Sequence, residues 1–190
     1  MTIISVLSKI EEGEFIMRKT IFLVVAVGFI LGIILTAQTN FTYVGASKCS
    51  MCHKSEKQGQ QYPIWEKSKH ATSLNALSSP QAASIAQSAG VSNPADSPQC
   101  LKCHSPLYEK AAELKAEGVT CEVCHGPGSE YRKLNIMKDR ELAAKNGLIL
   151  YGSEEVIKKQ CLTCHANAHG KSFDFALSWA KIKHPVPEAK

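Results

Sequence analysis

Apolar residues are distributed unevenly along this 190-residue chain. Ile21 to Leu35 is an unbroken apolar run, preceded by Arg18-Lys19. A basic n-region followed by an h-region of about 15 residues is the secretory-signal pattern, and the run falls short of the roughly 20 residues a spanning helix needs. Residues 1–37 are therefore read as an N-terminal extension plus signal peptide. An uncleaved membrane anchor through residues 20–37 is the alternative. Met17 is a candidate start, because the acidic stretch ahead of Arg18 is atypical of such leaders. Cleavage after Ala37 would put Leu35 at a position that prefers small residues; Val44-Gly45-Ala46 obeys that rule better but lies late. Neither site is followed by cysteine, so a lipoprotein is not expected.

Residues 38–190 carry only short periodic stretches, about one domain by size. Ser79-Pro80 opens a helix as N-cap and first residue, and Gly90 closes it. Ser105-Pro106 predicts another, ending at Gly118, with Tyr108, Ala111, Ala112 and Leu114 for its inner face. Asp139 to Asn146 is helical up to Gly147, and Ser153-Glu154-Glu155 caps a further helix. Asp174–Lys183 predicts the last one, stopped before His184-Pro185. Val119-Thr120 and Leu148–Tyr151 are the strand-like pieces. The expectation is a mainly α fold of short helices and irregular segments, with little or no sheet.

The cysteines change this picture. All eight fall in four Cys-x-x-Cys-His motifs: Cys49, Cys52 and His53; Cys100, Cys103 and His104; Cys121, Cys124 and His125; Cys161, Cys164 and His165. This is the attachment motif of c-type haem, in which two thiols bond the porphyrin and the imidazole becomes an axial iron ligand. Two tetrahedral zinc sites or a disulfide framework would also use eight cysteines. Neither explains the histidine after every pair. Four covalently attached haems are therefore expected, stacked within a domain whose radius of gyration is about 15 Å, with the short helices wrapped around them. The motif starts are 51, 21 and 40 residues apart, so there is no fixed repeat.

Charge follows from the same reading. The chain carries 22 Lys+Arg and 17 Asp+Glu, a formal +5. Each ferric haem with its propionates contributes about −1, so the oxidised protein is near neutrality. The basic residues are dispersed, which excludes a nucleic-acid arm.

Three histidines lie outside the motifs: His70, His169 and His184. They are the candidate distal ligands, one fewer than the four irons require. His169 follows proximal His165 by four residues and can serve only a different iron. Of the methionines, Met137 is the one alternative ligand, with apolar packing as its ordinary role; Met51 sits inside the first motif.

At these residues the chain resembles the cytochrome c-554 family of tetrahaem electron carriers. The resemblance spans Tyr43–Pro187 and rests on Lys48-Cys49 to His53, on Trp65 to Lys69-His70-Ala71, and on Gly118-Val-Thr-Cys121-Glu-Val-Cys124-His125-Gly-Pro-Gly128. It implies a periplasmic, mostly helical protein with haems in close pairs, one of them five-coordinate. By the resemblance His70 matches the family's first distal histidine and His184 the late one. The family's middle distal histidine follows the third motif, where Ser129–Asn135 has none, leaving His169 as a substitute.

The resulting expectation is an extracytoplasmic electron carrier exchanging electrons with donor and acceptor proteins. One alternative is a reductase of small nitrogen oxides at a five-coordinate haem, for which Tyr131, Arg132 and Lys133 near the third motif are read as surface residues. Another is a subunit of a polymeric filament, a homo-oligomer in which a neighbour supplies the missing ligand.

Overall fold

A computed structural model of the chain describes Lys19 and residues 40–186. The apolar run, the Ala37 cleavage candidate and Pro187 lie outside the described residues. No helix among the described residues is long and apolar enough to cross a membrane. Phe41–Lys190 forms one compact unit.

That unit is helical, with no strand among the described residues. The α-helices are α1 (Ala46–His53), α2 (Gln61–Glu66), α3 (Pro80–Ser88), α4 (Pro98–His104), α5 (Cys121–His125), α6 (Leu134–Met137), α7 (Arg140–Lys145), α8 (Glu154–His165) and α9 (Phe175–Ile182). Short 3-10 helices at Glu56–Gln58, Asn75–Ser78, Ala112–Glu117 and Ala168–Gly170 join them.

Four of the predicted helices form where their caps predict. Ser79, Asp139, Ser153 and Asp174 each accept a hydrogen bond from the backbone N–H three residues on, satisfying one orphan donor of the first turn. The predicted helix from Ser105 to Gly118 does not form. Ser105 closes α4 instead: its N–H donates to the Leu101 carbonyl at 2.8 Å, and its buried hydroxyl donates to the Lys115 carbonyl at 2.9 Å. Ala111 then breaks the segment with φ −153° and ψ 77°, and Gly118 ends the 3-10 turn at φ 65°. Ser79 also closes an upstream 3-10 turn yet still caps α3 through Ala82 N–H, whereas the Ser105 hydroxyl is engaged by Lys115 instead of by the turn that follows it.

The strand-like pieces are single extended contacts. Val119 N–H donates to the His70 carbonyl at 3.0 Å, and Ile149 N–H to the His125 carbonyl at 2.9 Å. Neither extends into a ladder, so β-branched residues here mark docking points.

The protein's own apolar core is thin. Among the described residues the buried apolar side chains are Leu77, Leu101, Leu107, Tyr131 and a few alanines. Leu134, Leu177 and Val186 are exposed by 65%, 64% and 78%. A domain of this length ordinarily buries many more large side chains. Polar contacts take up part of the work. The Glu122 carboxylate, 1% exposed, accepts from the N–H groups of Val44, Gly45 and Gly128 at 2.6–3.0 Å. Glu117 accepts from Ala46 N–H at 2.9 Å and from the Thr120 hydroxyl at 2.7 Å. These two acids sit in and just before the third motif. They satisfy the free donors at the start of α1 and so fasten the first motif to the third.

Candidate haem-ligand site

Each Cys-x-x-Cys-His motif lies on an α-helix, and in all four the histidine is the last helical residue. A helix brings residues three apart onto one face, so both thiols of a motif point the same way. The chain is released just after the imidazole, which frees that ring to turn across the helix end. All eight cysteines are unpaired thiols.

The thiols make contacts between motifs. Cys49 of the first hydrogen-bonds Cys121 of the third, which lowers the Cys49 thiol and raises that of Cys121. Cys103 of the second lies against Cys164 of the fourth; burial, then that neighbour, push it up to about 11. Cys124 is raised to about 11 by burial and by Cys161 and Cys164. The motifs are therefore paired first with third and second with fourth, and the third also neighbours the fourth. A cavity of about 420 Å³ lies between Cys103, Lys102, Leu107, Ile149, Gln160 and Cys164, where the last three motifs meet.

The histidines outside the motifs face histidines inside them. The rings of His70 and His165 lie 6.1 Å apart, those of His169 and His104 6.4 Å, and those of His184 and His125 5.8 Å, centre to centre. A metal bound by two imidazoles sets a similar distance. A metal–nitrogen bond of about 2.0–2.1 Å, plus about 1.2 Å from nitrogen to ring centre on each side, spaces the rings about 6.4 Å apart. Two further observations fit iron between the rings. Burial lowers the pKa of His70, His165 and His184, and holds His125 at about 4, so these imidazoles stay in the neutral form that ligates metals. The Nδ1 atom of His184 is buried without a hydrogen-bond partner, which is costly unless another atom meets the ring.

His169 is placed by an unusual backbone. It has φ 54° and Asn167 φ 58°, left-handed conformations that cost about 1–3 kcal/mol at a non-glycine residue and concentrate at functional sites. This turn carries the ring away from His165, four residues earlier, and towards His104. The His165 ring is stacked on Phe173 at 4.7 Å on its way to His70.

His53 differs from the other three. It has no facing histidine among the described residues, and its Nδ1 donates to the side-chain Oε1 of Gln61 at 3.2 Å. His104 Nδ1 donates to the backbone carbonyl of Ser73 at 2.8 Å. Met51 is 72% exposed and Met137, half-buried, ends α6.

The segment carrying His70 docks on the chain just before the third motif. Trp65 Nε1–H donates to the Val119 carbonyl at 2.8 Å, while Val119 N–H is shared between the His70 carbonyl and the Ser73 hydroxyl, both at 3.0 Å. Gly118 permits this approach: at φ +65° a Cβ there would come within 2.8 Å of the His70 carbonyl and would strike the Ser73 hydroxyl. The two segments that resemble known sequences are thus one structural joint.

The family model described as cytochrome c554 and c-prime matches residues 48–126, which hold the first three motifs and His70. Over these residues the chain is similar to the cytochrome c-554 family. A curated relative, cytochrome c-554 of Nitrosomonas europaea, is 28% identical over 145 residues, covering 67% of this chain. The chain spans 59% of that relative's length. No solved structure matches.

The sequence reading missed Gln61, Ser73, Glu117 and Glu122. Of these only Glu122 left a trace, as a charged residue inside a motif. Tyr131, read as a surface residue, is 5% exposed, and its hydroxyl donates to the Gly126 carbonyl at 3.1 Å. Lys133 pairs with Glu130 at 2.6 Å.

Proposed function

We propose that this chain is a c-type cytochrome which binds four haems outside the cytoplasm and relays electrons between redox partners. The observation that carries the proposal is the set of three facing histidine pairs, each joining a motif histidine to one of the three histidines outside the motifs. Unrelated surface histidines have no reason to pair in this way.

Covalently held haem supplies a reversible one-electron iron couple whose potential follows its axial ligands and burial. The chain's part is to attach, ligate and space. The eight motif cysteines tether the macrocycles, and His53, His104, His125 and His165 are the proximal ligands. His70 serves the fourth motif, His169 the second and His184 the third. The contacts Cys49–Cys121 and Cys103–Cys164 keep the attachment points of neighbouring haems together, the spacing a relay needs. Donor and acceptor are small proteins or domains that dock at an exposed edge.

Val44-Gly45-Ala46 is a poor place for leader cleavage, since its N–H groups are bound by Glu122 and Glu117. The mature chain therefore begins before Val44, or keeps its leader as an anchor.

Intact-mass measurement tests the proposal directly. The expected excess over the mature polypeptide is four haems, and zinc retained with no added haem would overturn the reading. A second reading, small-molecule binding or reduction at the first motif, is favoured by His53 lacking a facing histidine. Paramagnetic resonance of the oxidised protein decides this: a high-spin ferric signal that shifts with nitric oxide supports it, and four low-spin signals in a strict monomer refute it. Low-spin signals lost on dilution would point to a ligand lent by a second copy, as in a filament.

A further inference from the structure

We infer that Gln61 is a positioning residue that sets the ring of His53 and braces it against the chain segment carrying His184. The inference rests on the haem reading above and names a device that this reading does not contain.

Donor and acceptor chemistry fixes which way the Gln61 amide points. The Gln61 Nε2 amide group lies against two carbonyl oxygens, that of Gln58 and that of Pro185, the latter at 2.9 Å. Carbonyls only accept, so the NH₂ end of the side chain must face them. Its oxygen is then the atom 3.2 Å from His53 Nδ1. An amide oxygen also only accepts, so Nδ1 carries the proton and Nε2 keeps its lone pair. Gln61 thereby selects the tautomer in which His53 ligates through Nε2.

The backbone is shaped for this contact. Gly59, at φ +90°, lets the loop before α2 pass so close to Pro185 that a Cβ there would lie 2.8 Å from its carbonyl oxygen. Pro185 follows His184, whose ring faces His125. One side chain thus links the proximal ligand of the first motif to the distal ligand of the third, and the Cys49 and Cys121 thiols of these two motifs are also neighbours.

The second and fourth motifs show the same brace built from backbone. His104 Nδ1 donates to the Ser73 carbonyl, three residues past His70, whose ring faces His165. In each pair, the segment that brings a distal ligand to one haem also orients the proximal ligand of the other. Only the first–third brace runs through a side chain, which makes it open to mutation.

An acceptor on Nδ1–H makes the imidazole a stronger donor and favours ferric over ferrous iron. The test uses Gln61→Leu and Gln61→Glu in the haem-loaded full chain, with exposed Gln58→Glu as the control for added charge alone. Mediated redox titration and paramagnetic resonance are the readouts, with intact mass giving the haem count. Gln61→Leu is expected to raise one potential. Gln61→Glu is expected to lower it by more than Gln58→Glu does. Both should also displace the signal of the site holding His125 and His184, because neither leucine nor a carboxylate donates to Pro185. Wild-type potentials and signals in both Gln61 variants would overturn the inference, as would equal shifts in Gln61→Glu and Gln58→Glu. Loss of one haem from Gln61→Leu supports it when Gln61→Glu retains all four, and equal loss in both overturns it. A wild-type protein without four haems defeats the haem reading itself, a failure distinct from any behaviour of Gln61.

Discussion

At the residue scale, buried polar groups carry weight out of proportion to their number. Glu122 is the clearest case, with both carboxylate oxygens occupied by backbone donors from two separate segments. Glu122→Gln keeps the shape but turns one acceptor into a donor facing N–H groups. The expected cost is about 2–3 kcal/mol. In a domain of this size that is a fall of roughly 4–12 °C in Tm, read by thermal melting; an unchanged Tm would contradict the clamp. The histidines give a pH dependence whose sign is fixed. Burial depresses the folded pKa of His125 to about 4, and lowers those of His70, His165 and His184, below the ordinary 6.5. Between those values the unfolded chain binds protons that the folded chain refuses, so stability falls as pH drops from 6.5 towards 4 and levels off below it. On the proposed haem reading, iron ligation pulls in the same direction, because a protonated imidazole cannot ligate. Denaturant midpoints measured across that window should decrease steadily, and a flat profile would refute the assignment.

At the scale of elements, capping predicted helices and failed where tertiary contacts competed. Asp174 accepts from Leu177 N–H at 3.0 Å and starts the helix that leads to His184. Asp174→Ala should cost about 1 kcal/mol, a fall of roughly 2–4 °C in Tm, measured by calorimetry. Gly118→Ala should do more damage at one stroke, since it strains a positive φ and pushes on the His70 segment. Its expected signature is a melting loss larger than that of Asp174→Ala, accompanied by a changed low-spin signal. The four caps were legible because they are local, within three residues of the groups they satisfy. The Ser105 segment was not, because its serine is claimed by a helix in front and by Lys115 ten residues on. The same holds for Val119, whose partners lie on the His70 segment.

At the scale of the whole molecule, a thin protein core and facing histidine pairs point to a fold organised by what the chain attaches. Substituting the distal candidates one at a time tests that arrangement. His70→Ala, His169→Ala and His184→Ala should each convert one low-spin iron to high spin, each at a different site. Three substitutions that leave every signal in place would remove the assignment. On the proposed haem reading, the neighbouring thiols place the two haems of each pair side by side, so a redox titration should show coupled steps.

The sequence by itself pointed to the chemistry: Cys-x-x-Cys-His is a contiguous motif, and three histidines outside four motifs left one motif histidine without a candidate partner. It also determined the helical class, through caps that act over three or four residues. Which histidine faces which was decided only in the tertiary structure. His184 meets His125 across 59 positions of chain and His70 meets His165 across 95, and spacing along a chain says nothing about such distances. The same is true of Gln61, whose amide orientation is set by a carbonyl 124 residues away. Local chemistry is written in neighbouring residues, whereas ligand pairing depends on how segments dock, and docking is settled by the packing of the chain as a whole.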